Sequence, residues 1–297
     1  MTDRVHSSEQ PVAKFYSLSE KELFREVLDT YKAYSFEVKK SIDTESDLNL
    51  KLYDIDYFRM HLNALENFEE GEFTLANKLR FRRYYVTNTT YTDGMYTYLT
   101  EVVDSTALKY KGSIAMVHGA AQCHDVFFET AIQFALNGFC VHLVDLEGHG
   151  FTGGNRINKM SIEKFHHQVV TLLEQARPDI PLFLFGHSMG GLTVASFLGR
   201  NREIADKLAG VIYSAPYFGP HETLGVDFGK RVITSLLSGL LDEFAIVCPL
   251  PLHKVCKSKS YMRTIIMGRK AAPLMSLSIA DSCFKNHDRV LTHASNV

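Results

Sequence analysis

The amino-acid sequence predicts an α/β fold, with a mostly parallel sheet that carries helices on both faces. Two observations lead to this prediction. Short apolar runs alternate with segments of helical period, and glycine-rich or polar segments directly follow three of those runs. Parallel strands need a crossover between them, usually a helix. With 297 residues the chain is long enough for one large domain with a sizeable core.

Composition and charge exclude several classes of protein. Hydrophobic residues make up 45% of the chain and charged residues 22%, which excludes wholesale disorder. The net charge of −2 gives no electrostatic reason to expect a nucleic-acid partner. The five cysteines are odd in number and show no CxxC spacing, and the N-terminus carries no apolar signal segment. We therefore expect reduced thiols and a cytoplasmic protein.

The first part of the chain, residues 1–79, is expected to form a helical extension. After a polar tail, Ser19 begins a helix with Glu22 at the capping-box spacing, and a second helix covers residues 57–68. This extension contains no motif that indicates a chemical function.

Residues 80–216 are expected to form the α/β core, which opens with a β-hairpin. The hairpin strands are 79–86 and 95–103, because both are rich in Tyr, Val and Thr and a Thr-Asp-Gly turn lies between them. Ser161 is expected to cap one of the helices that follow. The remaining predicted strands are 113–117, 139–144, 181–185 and 210–214, and the predicted helices are 126–137, 161–176 and 192–200.

A serine stands between a predicted strand and a predicted helix. The segment Gly186-His187-Ser188-Met189-Gly190 fits G-x-S-x-G, follows the apolar run PLFLF and precedes a helix, which is the setting of a nucleophile elbow. The glycines are expected because such a turn is too sharp for side chains on both flanks. Ser188 is therefore the predicted nucleophile. The alternative is a glycine-rich turn with an incidental serine.

An acyl-transfer serine also needs N–H donors for the tetrahedral oxyanion. The residue after the nucleophile, Met189, is expected to provide one of them. The second is assigned to Ala120, in the segment His118-Gly119-Ala120 that follows the strand 113–117. His118 could be a base, a metal ligand or a structural residue, and we expect a structural role.

Three motifs, HGAAQ, DLEGHGFTGG and FLFGHSMGG, occur in this order between residues 98 and 220. They resemble the monoacylglycerol lipase and lysophospholipase group of α/β-hydrolases, the serine aminopeptidase domain type. The resemblance implies hydrolysis of a monoacyl lipid ester without a metal or organic cofactor. It also implies Ser188 as nucleophile and Ala120 and Met189 as oxyanion donors. The chain departs from the pattern at Thr152, where the family usually has a serine.

The resemblance also implies a lid over residues 217–280 and a returning core helix over residues 281–297. In the family, the acid and histidine of the triad follow on two further strands, which we expect to be missing because the sequence stops at Val297. The chain is thus expected to be truncated, a fragment or a shortened product. We assign no catalytic role to the acids and histidines near its end, which are Asp281, His287, Asp288 and His293.

Within the lid range, residues 232–244 carry an apolar stripe at helical spacing. Either this helix packs on the core, or it is a cap helix whose apolar face contacts acyl chains or a membrane surface. The expected partner is a small lipid ester, with peripheral membrane contact through the lid as an open alternative.

Two features of the sequence could suggest nucleic-acid binding or metal binding, but each has a simpler interpretation. The cluster of bases and aromatics at residues 80–85 is expected to be a solvated strand face, and His166-His167 has no matching set of metal ligands. Other functions stay open: a non-catalytic scaffold of the same fold, an aminopeptidase or an acyltransferase.

Overall fold

The computed structural model describes most of the chain from residue 70 onward. The described ranges are 70–75, 78–87, 96–120, 122–154, 160–219, 228–240, 245–247 and 274–294. The helices predicted at Ser19 and at residues 57–68 lie outside the described residues, as does much of the predicted lid.

A mixed sheet of seven strands forms the centre of the described structure. Its spatial order is β1-β2-β3-β5-β4-β6-β7, in which β4 to β7 are mutually parallel and β1 to β3 pair antiparallel. The predicted α/β fold with a mostly parallel sheet is confirmed. The strands are β1 (Gly71–Leu75), β2 (Leu79–Thr87), β3 (Tyr96–Asp104), β4 (Gly112–Val117), β5 (Phe139–Val144), β6 (Leu182–His187) and β7 (Gly210–Ser214).

The predicted hairpin is present as β2 and β3, which pair from Leu79 opposite Asp104 to Thr87 opposite Tyr96. Two features of this side of the sheet were not predicted. The short strand β1 pairs with β2, and β3 joins the parallel strands by running antiparallel to β5. At the other side, no described strand pairs with the outer edge of β7.

The helices lie between the strands as the alternating pattern predicts. Ser161 caps α2 as expected, because its Oγ accepts a hydrogen bond from the Lys164 N–H at 3.2 Å. The described helices are α1 (Phe128–Leu136), α2 (Ile162–Glu174), α3 (Met189–Arg200), α4 (Arg202–Ala205), α5 (Phe228–Leu240) and α6 (Leu277–Ala294), with a 3₁₀ turn at His124–Phe127.

Alternate residues of the central strands supply two hydrophobic cores, one on each face of the sheet. In β4, Ala115 and Val117 pack in the core that holds α2 and α3, whereas Ile114 and Met116 pack in the core that holds α1. This alternation is the period-two pattern of a strand buried on both faces. Helices therefore cover both faces, as predicted.

A polar network joins α6 to the two helices beneath it. Asn286 is fully buried, and its Oδ1 accepts from the Ser196 hydroxyl of α3 at 2.7 Å. Its amide donates to Glu163 of α2 at 3.0 Å, and Arg289 donates to the same carboxylate at 2.7 Å. Buried polar groups must be paired, so this network fixes the position of α6 on the core.

The apolar stripe on α5 is only partly buried. Ile233 and Leu236 are 56% and 65% exposed, whereas Leu237 is half-buried. The helix is held to α6 by Arg231, which pairs with Asp288 at 2.6 Å. A two-stranded sheet of β8 (Ala245–Val247) and β9 (Leu274–Ser276) lies within the range predicted as a lid.

The prediction of a solvated face for residues 80–85 is wrong at Arg83. Arg82 is exposed, but Arg83 is fully buried together with Leu79 and Phe81. The physical reason is strand alternation: residues 79, 81 and 83 point to one side of β2, and that side faces the core.

His142 of β5 is a buried histidine without a hydrogen bond among the described residues. Its exposure is 2%, and burial lowers its pKa to about 4, with the nearby Arg177 acting in the same direction. The folded protein therefore favours the neutral ring.

We predict that His142 makes the protein less stable as the pH falls below about 6.5. In that range the unfolded chain binds a proton at this histidine and the folded chain does not, so the unfolding free energy decreases toward low pH. His142→Leu should remove on the order of 2 kcal/mol of the loss between pH 8 and pH 5. Urea unfolding at the two pH values measures this change. An unaltered pH dependence in the variant would contradict the prediction.

Candidate active site

Ser188 lies at the junction of β6 and α3 with a backbone that non-glycine residues seldom adopt. Its φ is 52° and its ψ is −119°. The Ser188 N–H donates to the Ser214 carbonyl at 3.1 Å, and the Ser188 carbonyl accepts from the N–H groups of Gly191 and Tyr217, each at 2.9 Å. The serine is thus held from both sides, by the end of β7 and by the first turn of α3.

The glycines around Ser188 are required by close backbone contacts. A Cβ at Gly186 would lie 2.7 Å from the Gly190 carbonyl oxygen, and a Cβ at Gly190 would overlap the carbonyl oxygen of Val117. Real Cβ atoms do not approach oxygen atoms so closely. The turn around Ser188 is therefore too tight for side chains at these two positions, which is the steric reason for the G-x-S-x-G spacing.

The segment after β4 lies directly against Ser188. A Cβ added to Gly119 would be 3.0 Å from the Cβ of Ser188, which is tighter than most real Cβ contacts, so the two residues are closely packed. Ala120 is the next residue along this segment, and Met189 begins α3 on the other side of the serine. The structure thus brings together the segments that carry the three predicted site residues.

His118 uses both ring nitrogens to hold this segment in place. Its Nε2 accepts a hydrogen bond from the Leu146 N–H at 3.0 Å, so the proton is on Nδ1, which donates to the Gly119 carbonyl at 2.8 Å. Burial lowers the His118 pKa to about 4, which keeps the ring neutral. The role is structural, as the sequence analysis expected.

A buried carboxylate that the sequence analysis did not identify lies at the ends of β4 and β5. The Oδ1 atom of Asp145 accepts from the His124 N–H at 2.8 Å and from His124 Nδ1 at 2.7 Å. Its Oδ2 accepts from the Phe151 N–H at 2.9 Å. Burial alone would raise the Asp145 pKa, but the interactions with His124 outweigh it and hold that pKa well below its usual value.

The G-H-G segment wraps around this carboxylate. Gly150 has a φ of 51°, and a Cβ there would overlap the Asp145 side chain. Thr152 accepts a hydrogen bond from the Tyr98 N–H at 2.9 Å and donates one to the Asp145 carbonyl at 2.7 Å. The threonine keeps the hydroxyl of the serine that the family usually has at this position, and the hydroxyl joins β3 to the segment after β5.

The acids and histidines near the end of the chain form local pairs on α6. His287 contacts Asp288 at 3.0 Å, and Lys285 pairs with Asp281 at 2.6 Å. The side chain of His293 lies outside the described residues. Across the described ranges, no histidine ring is hydrogen-bonded to the Ser188 hydroxyl.

The described side chains and helices bear on metal binding and on membrane insertion. No group of three or more His, Cys, Asp or Glu side chains there could hold a metal ion. Within the same residues, no helix has both the length and the apolar character needed to cross a bilayer.

The chain is similar to one protein family and to proteins named as lipases. A family model described as serine aminopeptidase, S33, matches residues 109–297. The Bacillus subtilis phospholipase YtpA is 32% identical over 36% of this chain and 40% of its own length. The Saccharomyces cerevisiae monoglyceride lipase is 25% identical over 55% of this chain and 54% of its own length. The chain thus spans about half, or less, of the curated relatives it matches.

A solved structure shares the fold. The crystal structure of the Paleococcus ferrophilus monoacylglycerol lipase superposes with a TM-score of 0.57 and 22% identity, over 67% of this chain and 72% of that protein. At this identity the similarity shows the fold alone, which is that of the α/β-hydrolases.

We predict that the Thr152 hydroxyl stabilises the site by pairing two buried backbone groups. Thr152→Val should lower the unfolding free energy by about 1–3 kcal/mol, because the Tyr98 N–H and the Asp145 carbonyl lose their partner. The matched control, Thr152→Ser, retains both hydrogen bonds and should cost less than about 1 kcal/mol. Urea denaturation measures both values. A loss for Thr152→Val no larger than that for Thr152→Ser would contradict the prediction, because only the valine variant lacks the hydroxyl.

Proposed function

Because the chain belongs to the serine aminopeptidase S33 family of α/β-hydrolases, we propose that it is a serine hydrolase that cleaves carboxylic esters of monoacyl lipids. One observation carries the proposal: Ser188 has a φ of 52° and lies at the carboxyl end of β6, with its side chain against Gly119. Ligands bind at the carboxyl ends of parallel strands in open sheets. The lipid substrate is supported by relatives named phospholipase and monoglyceride lipase.

In the proposed reaction, the Ser188 oxygen attacks the ester carbonyl carbon and its proton passes to a general base. The carbonyl oxygen becomes an oxyanion that accepts hydrogen bonds from the N–H groups of Ala120 and Met189. Collapse of this intermediate releases the alcohol, which takes up the proton, and leaves an acyl-enzyme that water hydrolyses to a fatty acid. The proposal assigns the base to none of the described residues.

The start of α3 favours this chemistry. Met189 is the first residue of the helix, so its N–H has no intrahelical acceptor. The positive end of the helix dipole also lies where the oxyanion forms. Both effects stabilise negative charge beside Ser188 without any rearrangement of the backbone.

We further propose that α5 contacts the acyl chain or a lipid surface. Ile233 and Leu236 expose more than half of their surface, although such side chains are usually buried. Arg231 holds the helix to α6 through Asp288 and the Phe284 carbonyl, so these apolar side chains are presented from an anchored helix.

Replacement of the nucleophile tests the proposed function. Ser188→Ala should lower fatty-acid release from a monoacylglycerol and a lysophospholipid by at least ~10³-fold, because the attacking oxygen is removed. Ser105→Ala, which removes an exposed hydroxyl bonded to the Lys78 carbonyl, is the matched control and should leave the rate unchanged. Thermal unfolding checks that both variants fold.

Hydrolysis that persists in folded Ser188→Ala would overturn the assignment of the nucleophile. A folded protein that cleaves neither substrate before mutation would favour the non-catalytic scaffold, and cleavage of aminoacyl amides instead would favour an aminopeptidase.

Replacement of the exposed apolar side chains tests the role of α5. The double variant Ile233→Ser, Leu236→Ser should lower kcat/KM on a long-chain ester about tenfold more than on a short water-soluble ester, since each buried CH₂ contributes ~0.8 kcal/mol. Leu291→Ser on α6, with a wild-type exposure of 51%, is the matched control. If the α5 variant loses the same factor on both esters, its side chains serve packing and not substrate binding.

A further inference from the structure

Arg83 is a fully buried cation on β2, outside residues 109–297 that the family model matches. Its Nη2 donates to the Asp125 carboxylate at 2.8 Å. Three aromatic rings surround its guanidinium: Tyr98 at 5.3 Å, Phe128 at 5.5 Å and Phe151 at 5.5 Å. The rings and the carboxylate together replace water around the charge.

Such burial is costly for stability. Removing a guanidinium from water costs several kcal/mol, and the attraction to one carboxylate often does no more than offset that cost. Buried ion pairs of this kind can instead define a single geometry. Asp125 lies in the 3₁₀ turn that directly follows the segment carrying Ala120. The geometry that the Arg83–Asp125 pair can define is therefore the position of this segment relative to β2.

Residues 118–120 and 122–124, here named the oxyanion segment, are attached at both ends to the residues after β5. At the first end, the Leu146 N–H donates to His118. At the second end, His124 donates to Asp145 through both its backbone and its ring. The two attachments lie on consecutive residues, so the segment is anchored to one short piece of backbone.

Arg83 adds an attachment from a different strand. It binds Asp125, one residue beyond the second end, and its Nη2 lies 3.5 Å from His124 Nε2. The same Nε2 is 2.8 Å from the Thr100 hydroxyl on β3. The hairpin β2–β3 therefore contacts the end of the oxyanion segment that the residues after β5 also hold.

We propose that Arg83 is a positioning residue for ester hydrolysis: through Asp125 it fixes the end of the oxyanion segment and thereby the direction of the Ala120 N–H. The inference rests on the proposed function, since the N–H direction matters only if an oxyanion forms there. An N–H group that is displaced from the oxyanion stabilises the transition state less, whereas ground-state binding is little affected.

The experiment compares Arg83→Met, Asp125→Asn and their double variant with Arg80→Met. Arg80 is the matched control, because it lies on the same strand and pairs with Glu101 at 3.3 Å, away from the oxyanion segment. Steady-state kinetics on a short-chain ester are measured well below the unfolding temperature of each variant. A purely structural role would change the unfolding temperature and leave kcat of the folded protein unaltered.

We expect Arg83→Met and Asp125→Asn each to lower kcat about 10- to 100-fold, with KM within about twofold of the original, since loss of one oxyanion donor costs 10²–10³-fold in kcat. The double variant should lose little more than either single variant, because both act through one contact. Arg83→Lys, which keeps a cation, should recover part of the rate. Arg80→Met should retain the original kcat.

The proposal is overturned if folded Arg83→Met keeps the original kcat, or if the two losses multiply in the double variant. If Arg83→Met does not fold, Asp125→Asn decides, because that carboxylate is partly exposed at 15% and its replacement keeps the shape of the side chain. Failure of the proposed function is separate: it would show as hydrolysis that survives Ser188→Ala, or as a folded original protein that cleaves neither lipid ester.

Discussion

Ser188 is held at φ 52° by hydrogen bonds from two directions, and the surrounding backbone is arranged to permit this conformation. A backbone in such a sparsely populated φ/ψ region costs a non-glycine residue about 1–3 kcal/mol, so it persists only where neighbouring contacts determine it. Here those contacts are so close that Gly186 and Gly190 cannot carry a Cβ. The same turn places the serine side chain against Gly119 and begins α3 at the next residue.

The parallel arrangement of the central strands explains why the rest of the site lies nearby. β4, β5 and β6 are adjacent and parallel, so the segments that follow them meet at one edge of the sheet. Two of these segments are joined by His118 and by the carboxylate of Asp145. Backbone N–H groups would perform the proposed oxyanion binding, so these buried side chains act on the chemistry by setting the course of the backbone.

Local sequence patterns were sufficient for the central strands and for the turn at Ser188. The predicted bounds of β5 and β7 agree with the structure, because both are short apolar runs bounded by glycines or polar residues. The pattern failed for β1, whose five residues GEFTL carry little signal of their own. It also failed for Arg83, although its place two residues after Phe81 on a strand indicated that both face the core. The pair of His124 and Asp145 was missed because 21 residues separate them, and only the sheet topology brings them together.

Ser188 is proposed to be the nucleophile of this chain, and chemical modification tests that proposal most directly. The native protein would be treated with a fluorophosphonate probe, which forms a covalent bond with activated serines, and the modified residue would be located by peptide mass spectrometry. The proposed function predicts a single adduct on Ser188 that disappears when the protein is unfolded before treatment. An adduct on another serine, or a folded protein without any adduct, would contradict the claim.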